Sequence, residues 1–309
     1  MRILVLGSAA GGGFPQWNCN CEVCRAARAG DGRAVARTQS SIAVSADGER
    51  WALFNASPDM RQQINDNPAL HPRVGARHSP ISSVVLTNAD VDHVAGLLTL
   101  RESQPLALYA STRVHGALDA NPIFKVLNPK FVDRRPLPLE SAQEICDRDG
   151  TGIGLSVEAF AVPGKVALYL ENPEAGANFG TAEGDTIGLC VCQNGSDTAF
   201  FYIPGCAALD PPLAARLKGA DLILFDGTLY RDQEMVSGGL SPKTGQRMGH
   251  ISMSGPGGSI AAFSGLDVGR RVFIHINNSN PVLLEHSPER QEVERAGWEI
   301  AADGQEIEI

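Results

Sequence analysis

No stretch of the 309-residue chain approaches about 18 consecutive apolar residues, so nothing in it is long enough to cross a bilayer as a helix. Blocks of Lys and Arg are missing too, and the formal net charge is -9, which sets aside nucleic acid and anionic membranes as partners. There is no Pro-rich linker, no low-complexity segment and no internal repeat, so one α/β domain is expected over 1–309. A paired-cysteine framework is also lacking. The seven cysteines are odd in number, and three of them crowd into residues 19–24. That suits metal-bound thiolates in a reducing compartment, and a cytoplasmic protein is expected. The opening MRILVLGSAAGGG has an apolar run after Arg2, but the run is short and gives way to glycines. It reads as a buried first strand rather than a targeting segment.

What is present is ordinary for a packed globular chain: 43% hydrophobic and 20% charged residues, enough to bury a sizeable core. Short apolar runs rich in β-branched residues predict strands at 2–7, 41–44, 51–55, 83–87, 157–162, 186–192, 198–203, 222–226 and 271–276. Helices are predicted around 59–65, 94–101, 211–217, 257–264 and 288–296. In the last, Ser287 can cap, Pro288 fits the first turn and Gly297 can end it. The polar, Gly/Ala-rich stretch 172–184 predicts an exposed loop beside whatever site the fold carries.

The segment LTNADVDHVAG, residues 86–96, places Asn88, Asp90, Asp92 and His93 directly after a strand and before an apolar helix. Four potential ligands so close together can converge on one ion. A structural reading of the same residues makes Asp92 and His93 helix caps and His275 a satisfied core histidine. Here the sequence resembles the metallo-β-lactamase superfamily, whose signature is H-x-H-x-D-H followed shortly by Gly. Asp92, His93 and Gly96 match it, while Asn88 and Asp90 stand where two histidines are usual. The resemblance implies an αββα sandwich of two mixed sheets with helices outside, and a late ligand at His275 in RVFIHINNSNP. A middle histidine expected near VPGKV, residues 162–166, is absent, and Gly205 and Cys206 replace the usual bridging Asp. A single-metal centre of Asp92, His93 and His275 is then expected, with Asp90 assisting. Two imidazoles and one carboxylate with open positions are the ligand set of non-haem Fe(II) oxygenases.

Cys19, Cys21 and Cys24 form C-x-C-x-x-C, a spacing suited to tetrahedral Zn2+ with bonds of about 2.3 Å. Three reduced cysteines without an ion are the alternative. The resemblance implies a structural zinc whose fourth ligand in relatives is a histidine at the place of Asn278; Asn278, His286 and water are the candidates here. Cys190 and Cys192 read as core thiols on one strand face, and a cysteine loop organised by zinc would suit a homodimer contact.

The cysteine loop, TNADVDH, FYIPGCA, MGHISMSG and HINNSNP together resemble the branch of this superfamily that serves pyrroloquinoline quinone (PQQ) biosynthesis, over essentially the whole chain. That resemblance implies hydroxylation, with dioxygen and Fe2+, of the tyrosine ring of the precursor peptide or a dipeptide from it. It also leaves open a non-catalytic carrier that moves PQQ towards the periplasm, and a metal-dependent hydrolase. Two further residues are assigned to the site. His250 corresponds to a substrate-contacting or proton-transferring histidine and is a candidate base for a phenol. Asp226, at the end of LILFD, is expected to orient His275.

Overall fold

The computed structural model describes residues 1–309. The first half of the chain builds one sheet from β1 (Arg2–Gly7), β2 (Ser41–Ser45), β3 (Trp51–Phe54), β4 (Ile81–Val85), β5 (Leu106–Ala110) and β6 (Val132–Pro136). The second half builds another from β7 (Ala142–Cys146), β8 (Gly152–Ala161), β9 (Ile187–Gln193), β10 (Ala199–Ile203), β11 (Leu222–Asp226), β12 (Arg270–Ile274) and β13 (Trp298–Ile300). A last strand, β14 (Glu306–Glu308), returns to the first sheet beside β1. The orders are β14-β1-β2-β3-β4-β5-β6 and β13-β12-β11-β10-β9-β8-β7, seven strands each. Both sheets are mixed: β3 to β6 and β10 to β13 run parallel, and the remaining pairs are antiparallel.

Alternation along the strands sorts the core into three layers. In β1, Ile3 and Val5 face the second sheet and meet Leu189, Val191, Tyr202, Val272 and Ile274. Leu4 and Leu6 point outward to Met60, Val114 and Leu118. These come from α2 (Met60–Asp66) and α4 (Thr112–Ala120), which follow α1 (Glu22–Arg28) and flank α3 (Val91–Val94) in the chain. On the outer face of the second sheet, Phe225 and Phe273 meet Trp298, Phe263, Leu213 and Val293. The Phe273 and Trp298 rings stack with centroids 3.9 Å apart. The last three come from α5 (Pro211–Leu217), α8 (Ser259–Phe263) and α9 (Pro288–Arg295), with the short α6 (Glu234–Ser237) and α7 (Gly245–Met248) between α5 and α8. Helices thus cover both outer faces, which is the sandwich expected.

The segment 94–101, predicted as a helix, is α3 followed by a 3-10 stretch, Ala95–Arg101. Gly96 explains the tight packing at that junction. Its N–H donates to Ala56 O at 2.8 Å, and a Cβ there would come within 2.1 Å of Ser57 O. Strands β5, β6, β7, β13 and β14 and helices α1, α4, α6 and α7 are not predicted from the sequence. β6 (VDRRP) and β7 (AQEIC) are polar and half-buried, so they lack the apolar signal; β5 is a five-residue buried run, a length that periodicity does not assign. No helix is long and apolar enough to cross a membrane.

Candidate metal centre

Three parallel strands end at one place: β4 feeds Thr87 to His93, β11 ends in Asp226, and β12 ends just before His275. Chain segments of both sheets therefore converge at their carboxyl ends, where the backbone leaves the ladder and side chains are free to point into a cleft. Ligand atoms of Asp92, His93 and His275 lie within 4.8 Å of one another. Asp92 Oδ2 is 3.0 Å from His275 Nε2 and 3.8 Å from His93 Nε2. His275 adopts a left-handed backbone, φ 61°, directly after β12. An outlier of this kind persists only where its surroundings over-determine it.

Hydrogen bonds set both tautomers. His93 Nδ1 donates to Asn88 Oδ1 at 2.8 Å, which leaves Nε2 with its lone pair. That Nε2 is buried and has no hydrogen-bond partner in the protein. His275 Nδ1 donates to Thr228 Oγ1 at 2.8 Å, and the Thr228 hydroxyl passes its own proton to Asp226 Oδ1 at 2.7 Å. A partnerless buried imidazole nitrogen aimed at a carboxylate and a second Nε2 fits a metal ion. The donor set is two imidazoles and one carboxylate.

Electrostatics favour the same arrangement. Burial pushes His93 down to about 4, so its ring is neutral and able to ligate at neutral pH. Burial works against the Asp92 carboxylate, but the His93 charge and the His275 hydrogen bond hold it well below the usual carboxylate range. Burial likewise opposes charge on His275, yet the hydrogen bond and charge of Asp92, with Asp226 and Asp90 behind, raise it.

Asp90, expected to assist the metal, stands outside the cluster. Its Oδ1 accepts the Leu168 N–H at 3.3 Å, because the strand-to-helix turn points it at the loop across the cleft. Burial, and then the Asp92 charge, raise its pKa. Asn88, a candidate ligand by position, instead orients His93. Asp226 is hydrogen-bonded to His275 through Thr228, its ligand atom lies within 4.8 Å of those of His250 and His275, and it contacts His250 directly: His250 Nδ1 to Asp226 Oδ2 is 2.7 Å. The His250 and His275 rings stack with centroids 5.3 Å apart. Cys206 contributes its backbone N–H to Asp226 Oδ2 at 2.8 Å, while its thiol turns away to Ala208 O. Thr228, unsuspected from the sequence, is thus the hub between Asp226, His250 and His275; only the pairing of β11 with β12 reveals it.

The cleft over these residues encloses about 300 Å³ and is bordered by Gly11, Lys165, Leu168, Lys243, Met248 and Asn277. A wider hollow of about 750 Å³ beside Tyr230 and Pro256 contains none of Asp92, His93 and His275. The segment 172–184 is mostly exposed, as predicted, and lies in the chain beyond Leu168.

On the outer side of the second sheet, Cys19, Cys21 and Cys24 also bring their sulfurs within 4.8 Å of one another. Asn278, three residues beyond His275, completes the surroundings: its Nδ2 is 3.3 Å from Cys24 Sγ, and its carbonyl O is 3.8 Å from the sulfurs of Cys21 and Cys24. His286 does not join the group. Cys190 and Cys192 do lie side by side, sulfurs 3.8 Å apart, but both are only partly buried rather than core thiols.

The beta-lactamase superfamily domain family matches residues 50–276. The chain is 54% identical to "Coenzyme PQQ synthesis protein B" of Rhodopseudomonas palustris, over 100% of both chains. It is 56% identical to the protein of that name from Gluconacetobacter diazotrophicus, over 99% of this chain and 98% of the other. Among solved structures, Zn(2+)-bound PqqB from Methylobacterium extorquens superposes with a TM-score of 0.94 at 52% identity, each chain covered completely. A metallo-beta-lactamase fold protein from Bacillus subtilis, 11% identical, shares the fold with a TM-score of 0.64, over 99% of this chain and 98% of its own. A chain with this sandwich, this strand-end cluster and such relatives belongs to the coenzyme PQQ synthesis protein B family, within the beta-lactamase superfamily.

Proposed function

We propose that this chain serves PQQ biosynthesis as a single-metal oxygenase that hydroxylates the tyrosine ring of the precursor peptide or of a dipeptide excised from it. One observation carries the reading: Asp92, His93 and His275 present two imidazoles and one carboxylate on one wall of an open polar cleft, with His93 Nε2 lacking any protein partner. A ferrous ion held there would supply redox chemistry with dioxygen as the second substrate. The chain's own residues do the rest. Asn88 and Thr228 fix the ligating rings, and His250, its Nδ1 bound to Asp226, keeps Nε2 to take a phenolic proton. Asp226 then stabilises the imidazolium that forms. Cys19, Cys21, Cys24 and Asn278 are the proposed holders of a structural Zn2+, and a Zn(2+)-bound relative at 52% identity supports zinc in this family.

The test is oxygen uptake by anaerobically iron-loaded protein given tyrosine-containing precursors, with product mass as the second readout. Uptake coupled to a hydroxylated ring is expected. No uptake, with a pathway that completes in the protein's absence, contradicts the proposal.

A further inference from the structure

The rim of the metal cleft is cationic, although the chain as a whole has a formal net charge of -9. Lys165 and Lys243 both border the cleft that contains Asp92, His93, His250 and His275. Arg247 adjoins Lys165 along the neighbouring groove. These three cations are not equally served. Glu171 accepts from Lys165 Nζ and also from both terminal nitrogens of Arg247, at 3.1 and 2.8 Å. The Arg247 guanidinium further lies 3.7 Å from the Phe179 ring centroid. One carboxylate therefore holds two cations in place.

Lys243 is left over. Its backbone N–H bonds Ser241 Oγ, but its ammonium has no acceptor and no ion-pair partner, and the residue is half-buried. The carboxylates deeper in the cleft face other groups, Asp92 the His275 ring, and Asp90 the Leu168 N–H and the Lys165 charge. Glu171 serves Lys165 and Arg247 together, so Lys243 stands at the cleft with no carboxylate of its own. An ammonium with three donors and no acceptor, beside a cleft of small-molecule size, is a receptor for an anionic group.

We infer that Lys243, with Lys165 beside it, binds a carboxylate of the substrate, so the cleft selects phenols that carry a free carboxylate over amidated or cationic ones. The phenol rests on the proposed hydroxylation; the carboxylate rests on the rim alone.

The assignment is tested by anaerobic titration calorimetry of the full, metal-loaded chain with two probes: a Glu- and Tyr-containing dipeptide with free carboxylates, and the same dipeptide fully amidated. A charge-assisted contact predicts that the free acid binds roughly 10- to 100-fold tighter. Lys243→Gln should erase that preference with metal content unchanged, and Lys243→Arg should keep most of it. Equal binding of the two probes, or equal weakening of both in Lys243→Gln, overturns the assignment. The two proposals fail separately. Acid preference without oxygen uptake sinks the oxygenase reading and leaves the carboxylate contact standing, and uptake without acid preference does the reverse.

Discussion

Around Asp92, His93 and His275 the protein provides a hydrogen-bond partner for each ring nitrogen that faces away from the cluster, through Asn88 and the Thr228–Asp226 pair. Around Cys19, Cys21 and Cys24 it provides little beyond the cysteines themselves and Asn278. Burial, reinforced by the neighbouring thiols, pushes Cys21 up to about 12; burial also works on Cys19, but hydrogen bonds from Cys21, Cys24 and Asn278 outweigh it and lower that group. The rings of the first cluster are oriented by hydrogen bonds from the scaffold. The second gathers three thiols with few partners besides one another and Asn278, a set suited to a tetrahedral ion. The difference separates a cluster whose rings are oriented by the side chains around them from a thiol loop packed on the outer side of the second sheet.

The sharpest way to break this contrast is to remove one ligand from each cluster. His93→Ala should abolish metal at the cleft, cutting affinity by more than the roughly 10- to 100-fold typical of orienting residues, and leave the thiolate-bound ion and the fold intact. Cys24→Ser should do the converse, keeping the cleft metal while lowering the melting temperature by about 5–10 °C. Metal analysis and thermal unfolding of the two variants read both effects; loss of both ions in either variant would erase the distinction. Next in size, Thr228→Val and Asn88→Ala each remove a partner of a ligating ring and should weaken cleft-metal affinity about 10- to 100-fold. Affinities unchanged in both variants would mean that ring orientation comes from packing alone.

A smaller effect concerns pH in the metal-free protein. Asp92 raises His275 above its ordinary value of 6.5, so the charged ring adds stability that is fully present below that value and is lost as pH rises through the raised one. His93, depressed to about 4, is neutral throughout that window and adds nothing there. A metal ion requires neutral His275, so its affinity should climb with pH over the same window in which the metal-free protein loses stability. Metal titrations and unfolding curves between about pH 6 and 9 check the opposed slopes; parallel slopes would contradict them.

Legibility in the sequence followed locality. Asp92, His93 and Gly96 sit within five residues of one another, and their turn follows a strand whose alternation is plain, so the motif could be read directly. His275 was legible because it directly follows a second clear strand. Thr228 was not, since its position between His250 and His275 exists only once β11 and β12 pair in parallel. Asp90 misled for a related reason: spacing places it near the ion, but its backbone turn gives its carboxylate to Leu168, 78 positions away in the chain. Asn88 stands at a ligand's place in the motif and instead bonds the His93 ring. Lys243 has no motif at all; its meaning depends on Glu171 being already engaged by Lys165 and Arg247.

The central claim is that Asp92, His93 and His275 hold one reactive metal through a scaffold that exists without it. The most direct measurement is iron content together with oxygen consumption, after anaerobic loading, for the wild type and His93→Ala with a tyrosine-containing precursor. The account predicts about one cleft iron and substrate-dependent oxygen uptake in the wild type, and neither in the variant, whose thiolate-bound ion remains. Equal uptake by both proteins, or iron retained in full by His93→Ala, would contradict it.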